Sequence, residues 1–245
     1  MKRVFLLMTF AGPVSAEGLA SRVTSANAPL NLSGTNLSSA MQIVILLTVL
    51  TLLPAMITCL TPFLRLSIVF HFLRQALGTQ TVPSNQVLLG LSLFLSLIVM
   101  QPVMNDIYTQ AWQPYEGGKI GLDEAIDKGS VPVRNFLLRF AREKDIQVML
   151  EISKSPSPAT PKDLKLGVLV PAYVLSEMKT GFQIGAVLFL PFLIIDLVVA
   201  SVSLSLGMVQ LPPVMISAPF KILLFVVVDG WTLLIGSLMK GLMQV

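Results

Sequence analysis

Apolar residues along this chain collect into four long runs, Met41–Leu60, Gln86–Met104, Phe182–Leu206 and Leu211 to about Met239. A helix needs about 20 apolar residues to cross the hydrocarbon core of a bilayer, and each run approaches or exceeds that length. The runs pair into two hairpins, 40–104 and 171–245, so the expected fold is all-α: membrane-associated helical hairpins plus a small helical domain between them. Proline interrupts the runs at Pro54, Pro102, Pro191, Pro212, Pro213 and Pro219. A proline inside a helix removes a hydrogen bond and crowds the preceding turn, so broken helices are predicted, with Pro191, Pro212, Pro213 and Pro219 as the breaks in the second hairpin. Such breaks are tolerated at membrane depth where protein or a water-filled cavity satisfies the freed backbone groups. That favours a pore or a packed assembly over simple anchors.

The polar stretches set the remaining boundaries. Lys2 and Arg3, the apolar Val4–Gly12, Pro13 and the small-residue site Val14-Ser15-Ala16 read as a secretory signal, 1–16, cleaved after Ala16. Residues 17–39, rich in Ser, Asn, Ala and Gly, read as a flexible arm that ends in a helix cap at Ser38 or Ser39. The stretch Asn105–Thr180 balances ten basic against ten acidic residues, and 105–170 reads as a soluble helical domain. Helices are predicted over Leu122–Lys128 and Val133–Ile152, where Phe136, Leu137, Phe140, Ile146, Met149 and Leu150 recur at helical spacing. The three prolines within Ser153–Pro161 predict a loop. So few apolar residues make a poor independent core, and this domain is expected to lean on neighbours. The short linker Thr61–Asn85 carries Arg65, His71 and Arg74 but no acid, so the positive-inside bias places it in the cytoplasm and the longer stretch outside. Arg65 and Arg74 fall on opposite helix faces and read as solvated charges that fix this orientation.

Composition agrees with the pattern. Hydrophobic residues make up 54% of the 245 positions and charged residues 12%, with a mean hydropathy of +0.79, the profile of a membrane protein. The net charge of +4 is spread without a basic run, which argues against a nucleic-acid partner. One cysteine, Cys59, and one histidine, His71, leave no disulfide framework, no multi-histidine metal site and no nucleophile–base pairing. With no phosphate-binding glycine loop either, no cofactor is expected and an enzyme is disfavoured.

Two ionisable residues sit where apolar surroundings should forbid them, Asp196 in the third run and Lys221 in the fourth. A charge at the centre of a membrane helix costs about 2.5–3.5 kcal/mol on insertion scales. If the chain turns between Gly207 and Pro213, Asp196 and Lys221 lie about 16 and 12 Å from that turn along their helices at about 1.5 Å per residue. A lysine side chain spans the difference. Two readings of the pair stay open: an ion pair clamping two helices, and a titratable or gating site in a conducting path. Asp229 either joins it or marks the far end of its segment. Ser201 and Ser205 give a small-residue face for close helix contact, and Met208 and Met215 flank the turn as gap-filling core or an apolar collar.

The run Pro171-Ala172-Tyr173-Val174-Leu175-Ser176-Glu177-Met178-Lys179-Thr180-Gly181-Phe182-Gln183-Ile184-Gly185 resembles the FliP family, as do Pro191–Asp196, Leu211–Ser217, Pro219–Lys221 and Asp229–Trp231. This is a flagellar family among the type III secretion export-gate proteins. The resemblance implies a pentamer that joins FliQ-like and FliR-like subunits in a multi-subunit helical assembly at the flagellar basal body. Unfolded flagellar subunits would pass through it across the bacterial inner membrane, with much of the assembly on the periplasmic side. It further implies that Asp196 and Lys221 matter, and that the loop Gly207-Met208-Val209-Gln210-Leu211 forms a constriction, here with one methionine where a run of them is common. The alternative from a different class is an ion-coupled secondary transporter or proton channel. Against it stand the absence of a second Asp-bearing repeat and the large polar insert.

Overall fold

The computed structural model describes residues 39–79, 81–154, 160, 163–207 and 212–243, so the expected signal segment, the arm before Ser39 and most of the proline-rich loop lie outside the described residues. All regular structure among the described residues is helical. The chain divides into two compact units, Met1–Leu53 and Pro54–Val245.

Helix α1, Ser39–Leu60, is 22 residues long with Pro54 inside it. It is apolar around its whole circumference, and Leu46, Leu47, Leu50 and Leu52 are all exposed. The hydroxyls of its threonines need no partner from elsewhere. Thr48 donates to the carbonyl of Val44 at 2.8 Å, Thr51 to Thr48 at 2.9 Å and Thr58 to Ala55 at 2.8 Å, each bond closing on the helix itself.

The second unit is built around one long helix. After α2 (Phe63–Ala76) and α3 (Asn85–Ile107) come a π-helical turn at Tyr108–Trp112, the short α4 (Gln113–Glu116), α5 (Leu122–Phe140) and α6 (Glu143–Ser153). Helix α7, Leu166–Ser205, runs 40 residues, and α8 (Pro213–Val227) and α9 (Gly230–Met243) complete the unit. Helix α2 lies along α7 in the most extensive helix pairing of the fold. Leu66, Val69 and Phe70 of α2 meet Leu169 and Tyr173 of α7, Phe136 and Leu137 of α5, and Val99 and Met100 of α3 in the main core.

That close pairing depends on two glycines one turn apart. A Cβ at Gly181 would stand 3.2 Å from Ile68 atoms, and one at Gly185 would stand 2.6 Å from the Phe72 ring. Without side chains there, Phe72 reaches the α7 backbone and meets Phe182 edge-on at 5.6 Å between ring centroids. Small residues at helix crossings work in this way, by letting backbones approach.

Four expectations change. The linker Thr61–Asn85 is not solvated throughout, because α2 puts Leu66, Val69, Phe70 and Leu73 on one face at helical spacing and buries all four, with Arg65 beside them. Its placement across a bilayer from Asn105–Thr180 fails on contact grounds, since the Arg65 guanidinium lies 5.2 Å from the Phe140 ring centroid and Leu66 shares a core with Phe136. Segments that touch cannot lie on opposite sides of a membrane. Helix α7 also begins at Leu166, so it crosses the expected boundary between 170 and 171. Finally, Pro191 lies inside α7 and Pro219 inside α8. One missing N–H bends a helix with long apolar flanks more readily than it ends it. Pro212 and Pro213 instead start α8, Pro213 at the first helical position, where an N–H would find no partner anyway. The break in the fourth run falls at Val228–Asp229, where Asp229 has φ 51° and the two helices bend by 64°.

Gly185→Ala should lower stability by about 1–3 kcal/mol through overpacking against Phe72. Gly90→Ala, which meets nothing within 4 Å, should be neutral or raise stability by up to about 1 kcal/mol. Thermal unfolding of the two variants in detergent checks the contrast.

Candidate functional site

Helices α7 and α8 run antiparallel, and the pairing brings Asp196 and Lys221 together. Lys221 Nζ donates to Asp196 Oδ2 at 2.6 Å. The other carboxylate oxygen is also taken, because Ser217 Oγ donates to Asp196 Oδ1 at 2.5 Å. Ser217 and Lys221 stand four residues apart on α8, so one helix face presents both donors. Burial is unequal: the Lys221 side chain is 2% exposed and that of Asp196 23%, while Ser217 is fully buried. Beyond the clamp, Ile194, Val198, Val202, Ile216 and Phe220 line an apolar groove of about 580 Å³. An ammonium in such surroundings is tolerable only with its counter-charge held in place.

The other predicted site residues scatter around this clamp. Gly207 follows α7 with φ 73°, the left-handed geometry that glycine adopts freely; Met208, Val209, Gln210 and Leu211 lie outside the described residues. Asp229 sits at the α8–α9 break. Ser201 and Ser205 face outward and bond back to the carbonyls of Leu197 and Ser201 at 2.8 and 2.9 Å, while the buried serine of that stretch is Ser203. Met215 is exposed. Among the described residues, no three His, Cys, Asp or Glu gather closely enough to hold a metal.

A second ion pair escaped the sequence reading. Arg65 Nε donates to Glu177 Oε2 at 3.0 Å, and Nη2 bonds Oε1 as well, the two-pronged match that guanidinium and carboxylate geometry allows. Glu177 is fully buried and Arg65 nearly so. The next residue extends the network, because Ser176 Oγ donates to Asp145 Oδ2 at 2.6 Å and accepts from the Arg142 backbone N–H at 2.9 Å. One side of α7 is thereby tied to α2 and to the start of α6. The signal was present in the linker, where Arg65 shares a helix face with Val69, four residues on, but its charge was read as solvated.

Losing Asp196 from the clamp strands the buried Lys221 ammonium, at a cost of about 3–5 kcal/mol. Because the ammonium is the more deeply buried group, Asp196→Ala should cost more than Lys221→Met, which leaves a partly exposed carboxylate still bonded to Ser217. The double variant Asp196→Leu with Lys221→Met should regain most of the loss. Denaturant unfolding in detergent, compared across the three variants, checks both the order and the recovery.

Residues 46–238 match the FliP family. The chain is 50% identical over 213 residues to the flagellar biosynthetic protein FliP of Pectobacterium carotovorum subsp. carotovorum, covering 87% of this chain and 83% of that one. It is 48% identical over 206 residues to the same-named protein of Bacillus subtilis (strain 168), covering 84% and 93%. With that of Borreliella burgdorferi it shares 42% over 216 residues, covering 87% and 85%. The family match spans α2 through α8 and the positions of both ion pairs, and on these matches the chain belongs to the FliP family of flagellar biosynthesis proteins.

Proposed function

We propose that this chain is a pore-forming core subunit of the flagellar type III protein export gate, passing unfolded flagellar subunits out of the cytoplasm. The observation that carries the reading is the uncovered apolar surface of the clamped hairpin. Leu193, Ile194, Leu197 and Val198 of α7 and Leu223, Val226 and Val227 of α8 are all exposed, although the hairpin buries an ion pair at its centre. Apolar helices held to one geometry by a buried polar clamp suit a repeated subunit, whose neighbours cover what its own fold leaves bare.

In this reading the chain forms a pentamer and joins FliQ-like and FliR-like subunits in the bacterial inner membrane, largely on its periplasmic side. Residues 1–16 direct export of the N-terminus, 105–170 form an extracytoplasmic helical domain, and 171–245 form the gate. The loop Gly207–Leu211 constricts the path, and Asp196 and Lys221 hold the hairpin that presents it. The three helices among the described residues that are long and apolar enough to cross a membrane, or four spans if α8 and α9 count as one, then lie against subunits as well as lipid.

Expression of the chain with its FliQ-like and FliR-like partners should yield a particle whose native mass corresponds to five copies plus those subunits. Asp196→Asn and Lys221→Met should each lose that particle and the appearance of flagellar subunits in the medium, and the double variant should regain assembly. Purification as a stable monomer despite its partners would overturn the proposal. An intact particle that no longer exports in each single variant would move the pair from a structural clamp to the gating step.

A further inference from the structure

The geometry points to a jointed lever: Pro191–Ser205 of α7 and Pro213–Val227 of α8 move as one rigid body relative to the rest of the second unit. Two observations make the lever rigid and two others make its joints. The Asp196–Lys221 and Asp196–Ser217 bonds, at 2.6 and 2.5 Å, lie wholly within it and tie its strands of helix together. Below the lever, α7 is held differently, by Arg65 on Glu177 and by the α2 contacts at Gly181 and Gly185. Pro191 lies between these two clamped halves, and its missing N–H frees the helix to bend there.

The second joint stands next to the first. Phe192 packs on Phe225 at 6.4 Å between ring centroids, and Phe225 meets the Trp231 ring edge-on at 5.4 Å. This aromatic hub therefore links the residue after Pro191 to both sides of the α8–α9 bend. At that bend Asp229 holds a left-handed φ of 51°, uncommon for a residue with a side chain. Gly230 lets α9 start directly against Phe225, since a Cβ at this position would collide with the ring. Leu73 and Ala76 of α2 join Phe192 and Phe225 in one buried cluster at this hub, which fixes the pivot, and just past α2 a Cβ built on Gly78 would stand 3.5 Å from that of Ala218 and 3.6 Å from a Val214 methyl. Both chain connections between lever and body thus pass through weak points that share one hub, which is the layout of a hinge. A rotation of about 10° there moves the far end of a 15-residue arm by about 4 Å, given about 1.5 Å of rise per residue.

Pulsed electron–electron distance measurements on the full chain carrying Cys59→Ser test this, because no other cysteine is present. Spin labels go on exposed positions: Val202 and Leu223 in the lever, Ile126 and Val148 in the body. The Val202–Leu223 distribution should be as narrow as that for Ile126–Val148, and Val202–Ile126 distinctly broader. Pro191→Ala should narrow the broad distribution, and Gly230→Ala should shift its mean by about 4 Å, on the same arm length, leaving Val202–Leu223 unchanged. A Val202–Ile126 distribution already as narrow as the body reference overturns the lever. So does a Val202–Leu223 distribution as broad as Val202–Ile126, or a broad Val202–Ile126 distribution that neither variant alters. None of these readings depends on whether the chain exports protein.

Discussion

Burying a charge among apolar groups is costly unless a counter-charge is fixed in place, and the second unit places two acids on one helix under that constraint. Glu177 and Asp196 both lie on α7, and each is matched by a cation from a different helix, Arg65 of α2 and Lys221 of α8. A greasy helix can slide or rotate against a greasy neighbour at little cost. A helix bearing a buried carboxylate cannot, because any register other than the native one strands the charge. The clamps therefore choose one register for α2 on α7 and one for α8 on α7, and the apolar contacts then fill in around those choices.

The glycines decide what the clamps can achieve. Bidentate contact between Arg65 and Glu177 needs α2 and α7 to run close, and Gly181 and Gly185 supply the room by admitting Ile68 and Phe72. Packing and electrostatics agree at this crossing, which is the consistency expected of a foldable sequence. Along α8 the agreement is looser. There the clamp is tight, but Leu223, Val226 and Val227 remain exposed, so register within the hairpin is settled before its outer surface is covered.

The parts of this molecule legible in the sequence were those that follow from local pattern. Apolar runs of sufficient length gave α1, α3, α7 and α8–α9, and the hairpin arithmetic brought Asp196 to Lys221 because both residues lie near one turn. The parts that were not legible depend on distant contacts. Arg65 and Glu177 are separated by 112 positions, so no turn geometry relates them, and a linker with two arginines, a histidine and no acid reads as solvated until its Leu66–Val69–Phe70–Leu73 stripe is weighed. Proline misled in the opposite direction. Its local effect is real, but a helix such as α7, 40 residues long with Pro171 and Pro191 inside it, has enough hydrogen bonds and packing around each to continue through it, and the true break at Val228–Asp229 coincides with no proline.

The two kinds of apolar surface in this chain are also chemically distinct. Helix α1 returns the hydroxyls of Thr48, Thr51 and Thr58 to its own carbonyls and carries no charge, so hydrocarbon can cover that stretch without leaving those hydroxyls unsatisfied. The α7–α8 hairpin keeps Asp196 about a quarter exposed at a level where Leu193, Ile194 and Leu197 are bare. Hydrocarbon on that face would leave part of an ionised carboxylate against lipid, the situation membrane proteins avoid by turning such groups toward protein or water. The same hydropathy thus calls for different surroundings on the two elements. For α7–α8, the requirement is protein or water at the carboxylate edge, beside leucines that apolar surroundings suit.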